Sequence, residues 1–294
     1  MAVSEFPKDD AADLPEGEGA TAETSKVAGI VDQVVTLVIA ITIALAIRHF
    51  VVEPFRIPSG SMFPTLLIGD HLFVNKLAYG PTIPFTEARL PGFSEPRRGD
   101  VVVFEVARPR NRLGGRDIKP VDRAPEGAPT EDFVKRLVGL PGDRIAWRDG
   151  QVFINDVPLR VTPTNEIFED DSGVRYAKSW EDLGRCRHAI LKDLRQRRPR
   201  NSRLERGTYV VEPGRYFMMG DNRDNSNDSR SWGTVRLEEL KGPAFILYWS
   251  WDVNGNMLSF FNPVNWWTAE KRWDRIFKRV RCEPSPMTAG QAAG

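Results

Sequence analysis

The sequence predicts a mainly β fold: an antiparallel β core with an inserted smaller lobe, preceded by one N-terminal transmembrane helix. Three observations point there. A single apolar run occupies residues 27–47. Beyond it, short apolar runs are bounded by Gly, Pro, Asn and Asp, the pattern of strands and turns. No long amphipathic helical pattern interrupts residues 52–260, which argues against alternating strands and helices around a parallel sheet.

Taken in order, residues 1–26 hold seven acids (Glu5, Asp9, Asp10, Asp13, Glu16, Glu18, Glu23) against Lys8 and Lys26. That composition predicts a disordered acidic tail. The run "VAGIVDQVVTLVIAITIALAI", Val27 to Ile47, has only Asp32 and Gln33 as strongly polar residues, both near its start. At 1.5 Å per residue it spans about 30 Å, the thickness of a bilayer core, so an anchor over 27–50 is expected. "ALA" at Ala44–Ala46 resembles a cleavage site, but the leading tail is acidic and too long for a basic signal-peptide n-region. Lys8 and Lys26 before the run balance Arg48 and Arg56 after it, so charge alone leaves the orientation open.

The β core is expected over 51–143 and 212–262. "VVVFEV" (Val101–Val106), "FVKRLVGL" (Phe133–Leu140), "TYVVEPGRYFMMGD" and "GPAFILYW" read as strands. "RIAW" and "QVFI" flank Arg148-Asp149-Gly150, a hairpin signal. Residues 108–131, rich in Arg, Pro and Gly, read as a surface loop. The inserted lobe is placed at 144–211, polar and irregular over 155–207, with a short helix near "HAILKDLR". Arg185 to Arg206 is strongly basic, as a solvated face or a contact for anionic lipid. In the C-terminal amphipathic segment and tail, 263–294, "NWWTAEKRWDRIFKRV" places Trp266, Trp273, Ile276, Phe277 and Val280 on one helical face, docked on the core or lying on a membrane.

A net charge of +1 argues against a nucleic-acid partner bound by phosphate neutralisation. The two cysteines, Cys186 and Cys282, make no disulfide framework and have no zinc-like spacing; whether they pair is left open. A calcium loop starting at Asp224 fails, because its sixth position is Ser229 and its twelfth is Val235.

A serine becomes a nucleophile only when a base takes its proton. None of His49, His71 and His188 sits in a recognisable nucleophile context. Lys135 is a different matter. In a strand over 133–140, period-2 alternation puts it on one face with Phe133 and Leu137, where its ammonium would lose hydration. At an ordinary pKa of ~10.4, a neutral lysine at pH 7 costs about 4.6 kcal/mol, and burial removes much of that. The alternative is a lysine that snorkels to water from an edge strand.

Four blocks occur in order: "RHFVVEPFRIPSGSMFPTLLIGD", "RRGDVVVF", "DFVKRLVGLPGD" and "GDNRDNSNDSRSWG". Together they resemble bacterial type I signal peptidases, membrane-bound serine endopeptidases that remove signal peptides from exported proteins. The resemblance runs from the anchor to about Trp251. It implies Ser61 as nucleophile, Lys135 as general base, and an oxyanion hole from the Ser59 hydroxyl and the Ser61 N–H. It further implies that Ser226 orients the lysine, that Asp228 and Arg230 form a supporting ion pair, and that Arg136 and Asp221 belong to the surrounding motif. The implied reaction is cleavage after small-x-small sites through a Ser-Lys dyad and an acyl-enzyme. No metal or organic cofactor is implied. The implied partners are preprotein signal peptides and the bilayer, with the catalytic domain on the extracytoplasmic side of a bacterial inner membrane. The chain shows one membrane segment where better-known Gram-negative members have two, and Phe133 stands where many have tyrosine. A self-cleaving repressor is disfavoured by the anchor and the lack of a helix-turn-helix signal. A catalytically silent, membrane-tethered β scaffold is disfavoured by the presence of both Ser61 and Lys135.

Overall fold

The structure is a computed structural model that describes residues 18–83, 86, 88–109, 118–195, 207–251, 264 and 270–285. It divides into two compact units, Met1–Ile47 and Arg48–Gly294. Helix α1 runs Glu18–Phe50. It therefore begins before Val27, because Ala, Glu and Lys in "EGATAETSKVAG" let the helix propagate backwards from the apolar run. Residues 1–17 of the acidic tail lie outside the described residues. Within α1, Val31–Phe50 is long and apolar enough to cross a membrane. The Thr36 and Thr42 hydroxyls donate to the carbonyls of Asp32 and Val38, so neither needs water.

The second unit is mainly antiparallel β, with strands numbered along the chain. A seven-stranded sheet has the order β1-β2-β14-β3-β4-β12-β13. Its strands are β1 (Val52–Arg56), β2 (Asp70–Asn75), β14 (Leu240–Ser250), β3 (Val101–Ala107), β4 (Thr130–Gly139), β12 (Arg215–Met219) and β13 (Val235–Arg236). The apolar run Val101–Phe104 of β3, continued by Val106 after Glu105, has a packing reason. Val102, Phe104 and Val106 enter one core cluster with Leu137, Met218 and Trp232. Val101 and Val103 enter another with Ile57, Met62 and Leu72. Both faces of the central strand are covered, so alternation with polar residues is lost.

Among the described residues, two four-stranded sheets accompany the seven-stranded sheet. One has the order β11-β5-β6-β7, from Thr208–Val210, Arg144–Arg148, Gln151–Ile154 and Val157–Pro158. Its β5–β6 hairpin turns at Asp149 (φ 50°) and Gly150 (φ 76°), as the Asp-Gly pair predicts. The other has the order β15-β10-β9-β8, from Glu283–Pro284, Cys186–Asp193, Arg175–Asp182 and Arg160–Glu169.

Three expectations need correction. "HAILKDLR" is no helix: His188, Ile190 and Leu191 are buried in β10, which pairs with β9. The segment expected to be irregular over 155–207 contains β8, β9 and β10, whose polar outer residues masked the strand pattern; residues 196–206 lie outside the described residues. The C-terminal residues 270–280 contain no α-helix: a 3-10 turn, Trp273–Arg275, lies between isolated bridges at Lys271 and Arg279. Val280 is buried while Trp273 and Phe277 are exposed, so they share no helical face. Pairing with β14 wins over helix periodicity: Phe277 N–H donates to Leu247 O, and Val280 N–H to Phe245 O. Trp266 lies outside the described residues.

Cys186 and Cys282 form a disulfide, with Cα atoms 5.6 Å apart across a sequence separation of 96. It ties β10 to the C-terminal segment. Closing so long a loop restricts the unfolded chain, with a typical contribution of about 2–4 kcal/mol. The Cys186→Ser/Cys282→Ser variant is therefore expected to unfold at lower temperature than the wild type. An unchanged thermal midpoint in detergent would remove the disulfide from the account of stability.

Candidate active site

Strand β1 ends at Arg56 and leads through Ile57, Pro58 and Ser59 into a 3-10 turn, Gly60–Met62. Buried Ile57 and Met62 pin this turn on the apolar core. Ile57 N–H donates to Asp70 O at 2.9 Å, and Gly69 N–H returns a bond to Ile57 O at 3.0 Å. Between those two anchors, Ser61 is presented at the turn. Its N–H lies at the start of a helical turn, where the first N–H groups have no intrahelical partner.

Lys135 is carried by β4, opposite Val102 of β3. It is only 4% exposed. Its Nζ donates to Ser61 Oγ at 2.7 Å and to Val134 O at 3.0 Å. The Phe133 ring centroid is 5.1 Å from the amine. Burial pushes the Lys135 pKa down to about 8; Asp228 and Asp221 oppose that shift and Arg230 adds to it. The snorkelling alternative does not hold, because the head of the side chain lies in the interior. Ser59 Oγ is 3.5 Å from Ser61 Oγ.

The register of the main sheet brings the polar motif here. In the β4–β12 pair, Met218 faces Leu137 and Met219 faces Arg136. Gly220 and Asp221 follow directly and arrive beside the serine turn. Asn222 then clamps that turn: its N–H donates to Ser61 O and its Nδ2 to Gly60 O, each at 3.1 Å. Gly220 must lack a side chain, since a Cβ there would fall 2.2 Å from Ser226 Oγ and 2.5 Å from Ser61 O. Ser226 is thus packed against Gly220, but it makes no hydrogen bond to Lys135 in this structure.

Two buried ion pairs back the amine. Arg230 Nε and Nη2 donate to the two Asp228 oxygens, each at 2.8 Å, and Gly220 N–H donates to Asp228 Oδ2 at 3.0 Å. Burial pushes the Asp228 pKa up, but Arg230 and these hydrogen bonds outweigh it and hold the carboxyl below its ordinary value. Arg136 grips Asp221 through Nε at 2.8 Å and Nη2 at 2.6 Å, while its Nη1 donates to Gly99 O at 2.7 Å. Burial likewise opposes ionisation of Asp221, and Arg136 with His188 overcomes it.

Several residues in this arrangement carried no signal of their own in the sequence. The Thr65 hydroxyl donates to Asp221 Oδ2 at 2.6 Å. His188 lies between Asp221 (3.1 Å) and Glu181 (3.2 Å), and Arg223 grips Glu181 at 2.6 and 2.5 Å. Leu191 N–H donates to Asp221 O, and Arg223 N–H to Leu191 O, so β10 holds the motif loop directly. Asn222 and Arg223 were visible within the polar run; Glu181 and His188 belong to strands remote in sequence. His71 is buried near Tyr248 and Trp251, and His49 contacts Thr82 O. A cleft of about 1060 Å³ opens over the pair, with Ile57, Ser59, Ser61, Met62, Val134 and Lys135 in its lining. Among the described residues, no cluster of His, Cys, Asp and Glu is arranged to hold a metal ion.

Residues 30–249 match the family described as signal peptidase, peptidase S26. A signal peptidase I of Pseudomonas fluorescens is 37% identical over 221 residues, covering 71% of this chain and 69% of that protein. One from Pseudomonas aeruginosa is 35% identical, with the same coverage. One from Rickettsia typhi is 34% identical over 262 residues, covering 82% of this chain and 90% of that protein.

Proposed function

The chain belongs to the signal peptidase family, peptidase S26, and from that membership we propose that it removes signal peptides from exported preproteins through a Ser61–Lys135 dyad. The observation that carries the reading is the 2.7 Å contact between a serine hydroxyl and a buried lysine amine.

Across that contact a neutral Lys135 takes the proton of Ser61, and Ser61 Oγ attacks the scissile carbonyl. With the pKa near 8, the neutral amine at pH 7 costs about 1.4 kcal/mol, against about 4.6 for an unperturbed lysine. The Ser61 N–H and the Ser59 hydroxyl bind the oxyanion; in other proteases one such donor supplies about 2.7–4 kcal/mol. Protonated Lys135 then passes its proton to the leaving amine, and an ester to Ser61 remains. Water, deprotonated by the same lysine, hydrolyses it. Arg136–Asp221 and Arg230–Asp228 hold the strand ends on either side of the amine. Ser226, with Gly220 beneath it, closes that wall. In this reading the core comprises 51–143 and 212–262, and 144–211 is its inserted lobe.

We place this unit outside the cytoplasm, tethered by the apolar helix beside the membrane from which a signal peptide's cleavage site emerges. The Cys186–Cys282 disulfide supports that side, because disulfides persist in oxidising compartments. The small-x-small preference fits a cleft whose wall at the serine is formed by Ile57, Met62 and Val134.

A pH profile tests the base. The reactive form is the neutral amine, so kcat/KM for a preprotein is expected to rise about tenfold per pH unit below 8 and to level above it. A flat profile between pH 6 and 9 would contradict a lysine base.

A further inference from the structure

A cavity of about 300 Å³, sharing no lining residue with the cleft over Ser61 and Lys135, has Thr65, Arg136 and His188 in its lining. Lys178, Arg187, Lys278, Arg279 and Arg281 line it, with Glu283 as the one acid among its lining residues. Lys178 is paired with Glu166 at 2.6 Å, and Arg187 with Glu283 at 3.2 Å. Among the described residues, no carboxylate pairs with Lys278, Arg279 or Arg281.

Cations gathered around one cavity repel each other, and a flexible surface would let them spread into water. Here the covalent frame limits that escape. The disulfide fixes Cys282 to β10, directly after Arg281. Leu247 N–H donates to Lys278 O, and Val280 N–H to Phe245 O, so the backbone on both sides of Arg279 is tied to β14. Phe277 adopts a left-handed conformation (φ 61°), an uncommon state for a bulky residue, at the bend that delivers Lys278. Arg187 and Lys178, also in the lining, sit 4.6 and 5.5 Å from the Trp180 ring centroid, which orients both.

We propose that this cavity binds a phosphate group, free or carried on a lipid headgroup. Guanidinium forks match phosphate oxygens two at a time, and a lysine adds a point charge. Three cations without a carboxylate partner among the described residues suit an anionic tetrahedral group, whose several oxygens can accept from more than one of them. The volume admits a headgroup-sized ligand and excludes a folded partner.

The test is calorimetric titration of the full chain in nonionic detergent at fixed ionic strength, independent of peptidase activity. The probes are inorganic phosphate and short-chain phosphatidylglycerol. Saturable binding of phosphate, weakened at least tenfold in Lys278→Gln/Arg279→Gln/Arg281→Gln, supports the site and shows that the free anion suffices. Saturable binding of phosphatidylglycerol alone, weakened likewise, supports it with a lipid headgroup as the source. Absence of binding by both probes, or equal binding by the variant, overturns it. The three side chains are exposed in the structure, and Arg281→Gln alone, expected to weaken binding at least threefold, serves if the triple variant fails to fold.

Discussion

Ser61→Ala and Lys135→Met are each expected to lower preprotein cleavage by at least about 10⁴-fold, as loss of a member of a nucleophile–base unit does in other serine proteases. The double variant should be no worse than either single one, because both remove the same proton transfer. Stability should move the other way for the lysine. Its folded pKa, about 8, lies below the ordinary 10.5. Below pH 8 both the folded and unfolded states hold the proton, so the folded state carries the full cost of a buried ammonium. Between pH 8 and 10.5 the folded state releases the proton first, and the cost shrinks as pH rises; above 10.5 it is gone. The difference corresponds to about 3 kcal/mol. Lys135→Met should therefore raise the unfolding free energy at pH 6 by up to that amount, less the hydrogen bonds lost to Ser61 Oγ and Val134 O. Chemical denaturation at pH 6 and pH 10.5 measures it. Near-normal cleavage by either single variant would end the dyad; a destabilised Lys135→Met would deny the amine its dry environment.

Asp221→Asn is expected to lower stability by about 3–5 kcal/mol, because it leaves the Arg136 guanidinium buried without its counter-charge. The neutral amide also removes an influence that pushes the Lys135 pKa up. The folded fraction should then begin to cleave at a lower pH than the wild type. Two readouts thus move together, a fall in unfolding free energy and an acid shift of the kcat/KM profile. Replacing the pair by apolar residues, Arg136→Met with Asp221→Leu, should recover much of the stability, since the penalty comes from the orphaned charge. Thr65, His188 and Gly99 O also lose partners, so recovery stays incomplete. A single variant within about 0.5 kcal/mol of the wild type would show that water reaches the pair.

Local sequence was enough to read the apolar helix, the strand character of Val101–Val106 and Phe133–Leu140, and the Asp149–Gly150 hairpin. Each is set within a few residues, by side-chain period, turn chemistry or unbroken hydropathy. The four blocks in order carry a family resemblance, and that resemblance implies Ser61 and Lys135 as the candidate dyad. The strand at Cys186–Asp193 and the non-helical course of residues 270–280 were illegible: half-buried polar residues break the alternation of the first, and backbone bonds to β14 hold the second. Pairing of Cys186 with Cys282 depends on two backbones meeting across a separation of 96 residues, which no local pattern encodes. The tertiary structure alone decided that Glu181, His188 and Arg223 stand behind Asp221, and that Asn222 clamps the serine turn. Burial is the physical reason: a charged side chain reads as solvated surface until folding removes the water and leaves another charge as its partner.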